Sequence, residues 1–438
     1  MIARMMIRIA LFLALATPLH AEIAIQEVTS PGGIKAWLVE DHNIPFMALE
    51  LRFRGGTSLD QPGKRGAVNL MAATLEEGAG EMDAQGFAAA RDGLAARIGF
   101  GASSDELSVS VQTLTENRAA TMDLLRLALT APRFDPDAVE RVKGQVLAGL
   151  RSEEQDPSAI AAKLARARAY GDHPYGSAGD GTIDSVTALS RDDVLAAWKG
   201  AIAHDRIYVA AAGDISAKDL GALLDTLLAD VPATGWPMPA NAVLTEKAGT
   251  LVQPFPGPQS VVLFSQGGIG FDDPDFFAAS LLNDILGGGR FSARLMQEVR
   301  EKRGLTYGIG TGLASRDLAS EWIGQFQASN DKVAEAISVV QAEWARMAKE
   351  GPTEEELTTA KTYMTGAYPL RFEGNGPIAS ILVGMQMLGL PSDYPKTRND
   401  KVNAVTMEDI RRVAARLMRP ENLSFVVVGE PVGVTATE

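Results

Sequence analysis

The sequence predicts an α+β fold made of two homologous halves, each a mainly antiparallel sheet covered by helices. Three observations carry this. At 438 residues the chain is too long for one ordinary core. Alternating strands are followed by long helical segments and then a late strand, the order of an α+β unit. The halves also repeat at one offset: Ser190 and Thr406, Gly213 and Gly429, and Pro136 and Pro352 each lie 216 positions apart.

The elements follow in order. "FMALELRFRGG" (46–56) alternates, with Met47, Leu49, Leu51 and Phe53 on one side and Glu50, Arg52 and Arg54 on the other, as a half-buried antiparallel strand does. "RGAVNLMAATLEEGAG" (65–80) is a short helix between glycines, with Val68, Met71, Ala72 and Leu75 on one buried stripe. Pro136 of "FDPDAVE" and Pro352 of "GPTEEEL" each open an acidic first helical turn. Ser190 and Thr406 are matched N-cap residues, and each of their helices leads to a late strand, "DRIYVAAAGD" (205–214) or "NLSFVVVGE" (422–430). "QSVVLFSQGG" (259–268) takes the place of the early strand in the second half. "VPATGWPMPANA" (231–242), with three prolines and no periodicity, reads as an extended connection. The expected division is residues 23–230, a linker over 231–244, and residues 245–435.

The N-terminus has Arg4 and Arg8, an apolar run from Ile9 to Ala16, then Pro18 and Ala21, the layout of a secretory signal over residues 1–21. Cleavage after Ala21 makes the protein periplasmic, with no stable membrane span after processing. An uncleaved anchor is the alternative, although roughly 20 apolar residues are needed to cross a bilayer. Removing this segment takes away two arginines and no acid, so a chain of formal charge −14 becomes more acidic still. Such a chain is repelled by nucleic acid phosphates. It contains no cysteine, which excludes thiolate metal sites, disulfides and cysteine nucleophiles. His42, His173 and His204 remain, and no two lie at helical ligand spacing; His173 in "GDHPYG" reads as a loop residue.

The second half carries the most specific motif. "LGGGRFSARLMQEVREKRGLTYGIGTGL" (286–313) has a glycine-rich turn, Gly287, Gly288 and Gly289, followed by Arg300 and Tyr307 in an Arg-Glu-x-x-Gly-Leu-x-Tyr pattern. No Gly-Lys-Ser/Thr follows the glycines, which argues against a phosphate loop. Ser292 can cap a helix running to about Lys302, Gly304 suits its left-handed end, and Leu305-Thr306-Tyr307 leads into a strand. Arg300 and Tyr307 can then face one cleft. Taken alone, Arg300 also reads as a cation in a last helical turn and Tyr307 as a strand core residue.

The duplicated halves and this motif resemble the pitrilysin/insulinase (M16) family of zinc peptidases. In catalytic members the first-half helix carries His-x-x-Glu-His: two histidines at i and i+4 bind zinc, and the glutamate acts as general base on a metal-bound water. Laid on this chain, those positions are Asn69, Ala72 and Ala73. The family's third ligand falls near Gly149 or Leu150, with Glu153 and Glu154 about one helical turn away. None of the matched side chains is a ligand or a base, so the resemblance implies a degenerate site with no metal. A helix with Ala72 and Ala73 is ordinary packing by itself; the duplication and the Arg/Tyr motif favour the emptied site.

The resemblance further implies that Arg300 offers donors to a peptide carbonyl or carboxylate, and that Tyr307 donates to the oxygen that becomes negative during hydrolysis. Some bacterial and organellar members pair a zinc-bearing subunit with one lacking zinc. The expected function is therefore a non-zinc-binding subunit of a hetero-oligomeric metallopeptidase. It has no cofactor of its own and no activity alone. It supplies Arg300 and Tyr307 in trans to a homologous partner that carries His-x-x-Glu-His and the zinc. The alternative is a non-hydrolytic peptide-binding or assembly protein.

Overall fold

The computed structural model describes residues 23–437 except Glu246; the expected signal segment lies outside them. The first half contributes strands β1 (Gln26–Thr29), β2 (Lys35–Glu40), β3 (Phe46–Arg54), β4 (Gly78–Ala79), β5 (Met82–Asp83), β6 (Arg97–Ala102), β7 (Glu106–Leu114) and β8 (Ile207–Gly213). The second contributes β9 (Gly249–Pro254), β10 (Gln259–Gly267), β11 (Ile309–Ser315), β12 (Ser320–Ser329) and β13 (Ser424–Gly429). Apart from a small β4-β5 hairpin, they form two sheets, β1-β2-β8-β3-β7-β6 and β11-β12-β10-β13-β9.

Without β1, the two sheets have one order. The first runs β2-β8-β3-β7-β6 and the second β9-β13-β10-β12-β11. Each has a single parallel pair, β2 with β8 and β9 with β13, and all other pairs are antiparallel. Matched capping boxes open the helices before the late strands. Asp193 accepts from the Ser190 N–H at 2.9 Å, and Asp409 from the Thr406 N–H at 3.0 Å.

One face of each sheet lies on its own core. Leu49, Leu51 and Phe53 pack with Val68, Met71, Leu125 and Leu224 in the first half. In the second, Phe264, Trp322 and Phe326 surround Trp344, whose indole N–H donates to the buried Gln266 at 3.0 Å.

The opposite faces are covered by an exchange. The first-half helix Pro157–Tyr170 places Ile160, Ala161, Leu164 and Ala165 on Val261, Val426 and Val428 of the second sheet. The equivalent second-half helix, Asn375–Met387, places Ile378, Ala379, Leu382 and Val383 on Ala48, Ala210 and Ala212 of the first. The expected half-buried β3 is therefore corrected. Its polar side is covered too, with Ala48 fully buried and Glu50 held in an ion pair with Arg52 at 2.6 Å.

One local boundary also differs from expectation. Pro136 is the first residue of its helix, Pro136–Glu153, whereas Pro352 stands before Thr353, which caps Glu354–Ala367 through a capping box. Residues 229–248 hold neither helix nor strand among those described, and no described helix is long and apolar enough to cross a membrane.

Candidate functional site

The helix Ala67–Thr74 stands where the metal helix was expected, and Val68, Met71, Ala72 and Leu75 are buried as its stripe requires. Gly66 supplies no capping side chain, so the cap comes from elsewhere. Asp60 accepts from the backbone N–H groups of Gly66 and Val68, each at 2.8 Å. Arg65 pairs with Asp60 at 3.2 Å and donates to the carbonyls of Pro174 (2.9 Å), Ser177 (3.0 Å) and Thr57. Burial raises the Asp60 carboxyl above its ordinary range, opposed by these backbone donors and by Arg65. The helix is firmly anchored.

Its chemistry is another matter. Asn69 is half-buried, Ala73 is exposed and Ala72 is 2% exposed within the first core. Helix Pro136–Glu153 packs against this helix, as the third-ligand element should, but Gly149 is exposed and Leu150 is buried at 7%. Glu153 and Glu154 are exposed. Among the described residues no group of three His, Cys, Asp or Glu side chains is arranged to hold a metal ion.

The Arg/Tyr segment is less regular than the spacing predicts. Ser292 lies in a turn, helical geometry starts at Arg294, and Met296–Glu301 is a π-helical turn in which the Lys302 N–H reaches the Gln297 carbonyl at 3.0 Å. Such a turn accommodates one extra residue without changing which side chains are apolar. Gly304 ends it with φ +60°, as expected. Arg300 lies over the Phe291 ring at 4.6 Å and pairs with Glu301 at 2.9 Å. Tyr307 sits in a bend two residues before β11 rather than on the strand, and it is 87% exposed.

The glycine turn lies against a different feature. Gly287, Gly288 and Gly289 line a cavity of about 780 Å³ between the halves, roofed by helix Pro157–Tyr170 and floored by the second sheet. A Cβ at Gly288 would lie 2.6 Å from the Asp284 Cα, so the turn closes only with glycine there. The exchanged helix stops short of β11 and β12, leaving a floor of Gly310, Gly312, Ile323 and Gln325. Arg166 and Arg316 enter from the sides. Arg166 makes no ion pair with a described carboxylate, and burial together with Arg316 lowers its pKa. Arg316 is 3.7 Å from Glu321, which also accepts from the Tyr170 hydroxyl. Arg300 and Tyr307 do not line this cavity.

Comparison with known proteins decides the family. A crystal structure of a peptidase M16 inactive domain from Pseudomonas fluorescens superimposes with a TM-score of 0.87 at 31% identity, over 94% of this chain and 99% of that one. The chain belongs to the M16 peptidase family. The Peptidase M16 inactive domain matches residues 188–364 of it. This M16 chain is also 24% identical to the non-peptidase homolog YmxG of Helicobacter pylori, over 96% of this chain and 97% of that protein. It is 23% identical to an uncharacterized zinc protease of Streptomyces coelicolor, over 93% and 90% of the two chains.

Several residues of the M16 chain carry no sequence signal. Arg166 and Tyr170 read only as helical positions four apart, and Asp60 and Arg65 as loop charges. Tyr175 is the same: its hydroxyl donates to Asp105 and accepts from the Leu318 N–H at 3.1 Å, joining the halves at the mouth of the cavity.

Proposed function

We propose that this chain is the non-zinc-binding subunit of a periplasmic, hetero-oligomeric M16 metallopeptidase, and that it presents Arg300 and Tyr307 to peptide at the metal of a homologous subunit. The observation that carries the reading is the exposure of Tyr307. An 87% exposed tyrosine with no hydrogen-bond partner among the described residues, outside the inter-half cavity, supports a role at another surface. The anchored helix supports it from the other side, because Asn69, Ala72 and Ala73 supply neither ligand nor base.

The chemistry asked of this chain is limited. A tyrosine hydroxyl donates to the oxygen that gains negative charge at the tetrahedral stage, and a guanidinium holds a nearby carbonyl or carboxylate. The test is reconstitution with a zinc-bearing M16 homologue from the same organism: the pair should associate and hydrolyse peptide faster than either chain alone. Recovery of only self-associated chain, with no effect on the homologue, would count against the proposal.

A second reading, a peptide-holding protein without hydrolysis, is favoured by one observation. The uncovered face of β11 and β12 presents Gly310 and Gly312, where a Cβ at Gly312 meets nothing within 4 Å. An extended chain can approach such a floor closely. Peptide binding that persists in the absence of any partner, with no hydrolysis in its presence, would select this reading.

A further inference from the structure

A second cavity, remote from the Arg/Tyr segment, has an unusual lining. It holds about 410 Å³, within the range of small-ligand sites of roughly 300–1,000 Å³. Phe271, Phe276 and Phe277 form one side, and Tyr368 and Tyr394 another. Among its lining residues the charged ones are Arg371 and Arg398, and none is acidic.

Of the two, Arg398 is half-buried, where a cation in aromatic surroundings calls for a counter-charge, and Arg371 is exposed. Arg398 stacks over Tyr368 at 4.6 Å and donates to the Met364 carbonyl at 2.8 Å and to Asn399 at 3.0 Å. It makes no ion pair with a described carboxylate. Burial lowers its pKa, and the groups that oppose this are the Tyr394 and Tyr368 phenols. Burial likewise pushes the Tyr394 phenol up to about 12, so both phenols stay neutral at physiological pH. The site thus combines aromatic walls, neutral hydroxyls, a half-buried Arg398 with no carboxylate in the lining, and the exposed Arg371 beside it.

We propose that this cavity binds a carboxylate attached to an apolar body, with the carboxylate held by Arg371 and Arg398 and the body among Phe271, Phe276 and Phe277. The complementarity fixes the class. An arginine fork matches a carboxylate, and the aromatic walls exclude a hydrated anion such as free phosphate. Two sources share this chemistry: the C-terminal residue of a peptide ending in phenylalanine or leucine, and a free aryl or alkyl acid. The proposal does not depend on the chain's role in hydrolysis, because the cavity contains neither Arg300 nor Tyr307.

The test is calorimetric titration of the full chain with N-acetylated peptides ending in free phenylalanine, the same peptides as C-terminal amides, and 3-phenylpropanoate. Saturable binding of a free acid, weakened at least about tenfold by amidation and by the Arg371→Gln/Arg398→Gln pair, is expected. Tighter binding of the peptide assigns the site to chain ends, and tighter binding of phenylpropanoate assigns it to small acids. A Cβ at Gly384 meets no atom within 4 Å, so Gly384→Leu adds bulk at the cavity wall while keeping both arginines in the sequence, and should also block binding. Its thermal unfolding reports whether the fold is intact. Absence of saturable binding to the parental chain, equal binding of acid and amide, or binding retained in the double-arginine variant would overturn the proposal.

Discussion

The Tyr170 hydroxyl donates to the Glu321 carboxylate across the boundary between the halves, 151 residues away in sequence. Both groups are buried, Tyr170 at 3% and Glu321 at 5% exposure, and Arg316 stands beside them. Burial and the adjacent carboxylate both raise the tyrosine pKa, so the phenol remains the donor throughout the physiological range. The roof of the inter-half cavity is thus tied to its floor.

Removing that tie should loosen the halves. Tyr170→Phe leaves a buried carboxylate short of a donor and should cost about 1–3 kcal/mol in urea unfolding. Because helix Pro157–Tyr170 packs on the second sheet, hydrogen exchange in β10 and β13 should accelerate as well as exchange in the helix. Exchange confined to the helix would mean that the exchanged element does not couple the halves.

Asp60→Ala is expected to be among the most damaging single changes in the first half, at roughly 3–5 kcal/mol. It strands two backbone donors at the start of helix Ala67–Thr74 and leaves Arg65 without its ion pair. Chemical denaturation of the purified variant measures this directly, and a loss below about 1 kcal/mol would show that the helix is held by packing alone.

Asn69, Ala72 and Ala73 should respond unequally to the metal-site residues of catalytic M16 members. Ala73 is exposed and Asn69 half-buried, so Ala73→His and Asn69→His should stay within about 0.5 kcal/mol of the parental stability. Ala72 lies in the core, so Ala72→Glu must desolvate a carboxylate and should cost more than about 2 kcal/mol, with the new carboxyl titrating above its ordinary range. Thermal melts of the three single variants decide it.

His42 gives the chain a pH-dependent contact. Its ring pairs with Asp214 through Nδ1 at 2.5 Å and with Glu40 through Nε2 at 2.8 Å, and these bonds, Asp214 first, raise its pKa. The contribution is therefore complete below the unfolded histidine value of about 6.5 and is lost as pH rises through the raised folded value. Glu40 and Asp214, whose pKa values are lowered, lose theirs as pH falls below the carboxylate range. His42→Ala should lower the melting temperature most near pH 5.5 and progressively less above neutrality. A difference independent of pH would assign the effect to packing.

Much of the architecture is legible in the sequence because duplication repeats its signals. The cap residues Ser190 and Thr406 fix equivalent helices, and the matched late strands place β8 and β13 in equivalent sheets. The helix exchange is not legible. No sequence signal says that the helices carrying Ala161 and Ala379 cover the sheet of the other half, because both sheets offer small or β-branched residues there. The π-helical turn before Tyr307 escapes notice for a related reason, since it changes hydrogen-bond register and leaves the apolar pattern intact. Arg166 and Arg398 are invisible in advance, because a helical arginine carries no sign of whether it faces water or a cavity.

One titration separates a trans-acting subunit from a bystander: peptide hydrolysis by a zinc-bearing M16 homologue, measured as this chain is added. The rate should rise and saturate at equimolar chain. With Tyr307→Phe, whose association is measured separately and should be unchanged, the saturated rate should be lower by about 10² to 10³. Hydrolysis by this chain alone, or a saturated rate unchanged by Tyr307→Phe, would contradict the trans-acting role.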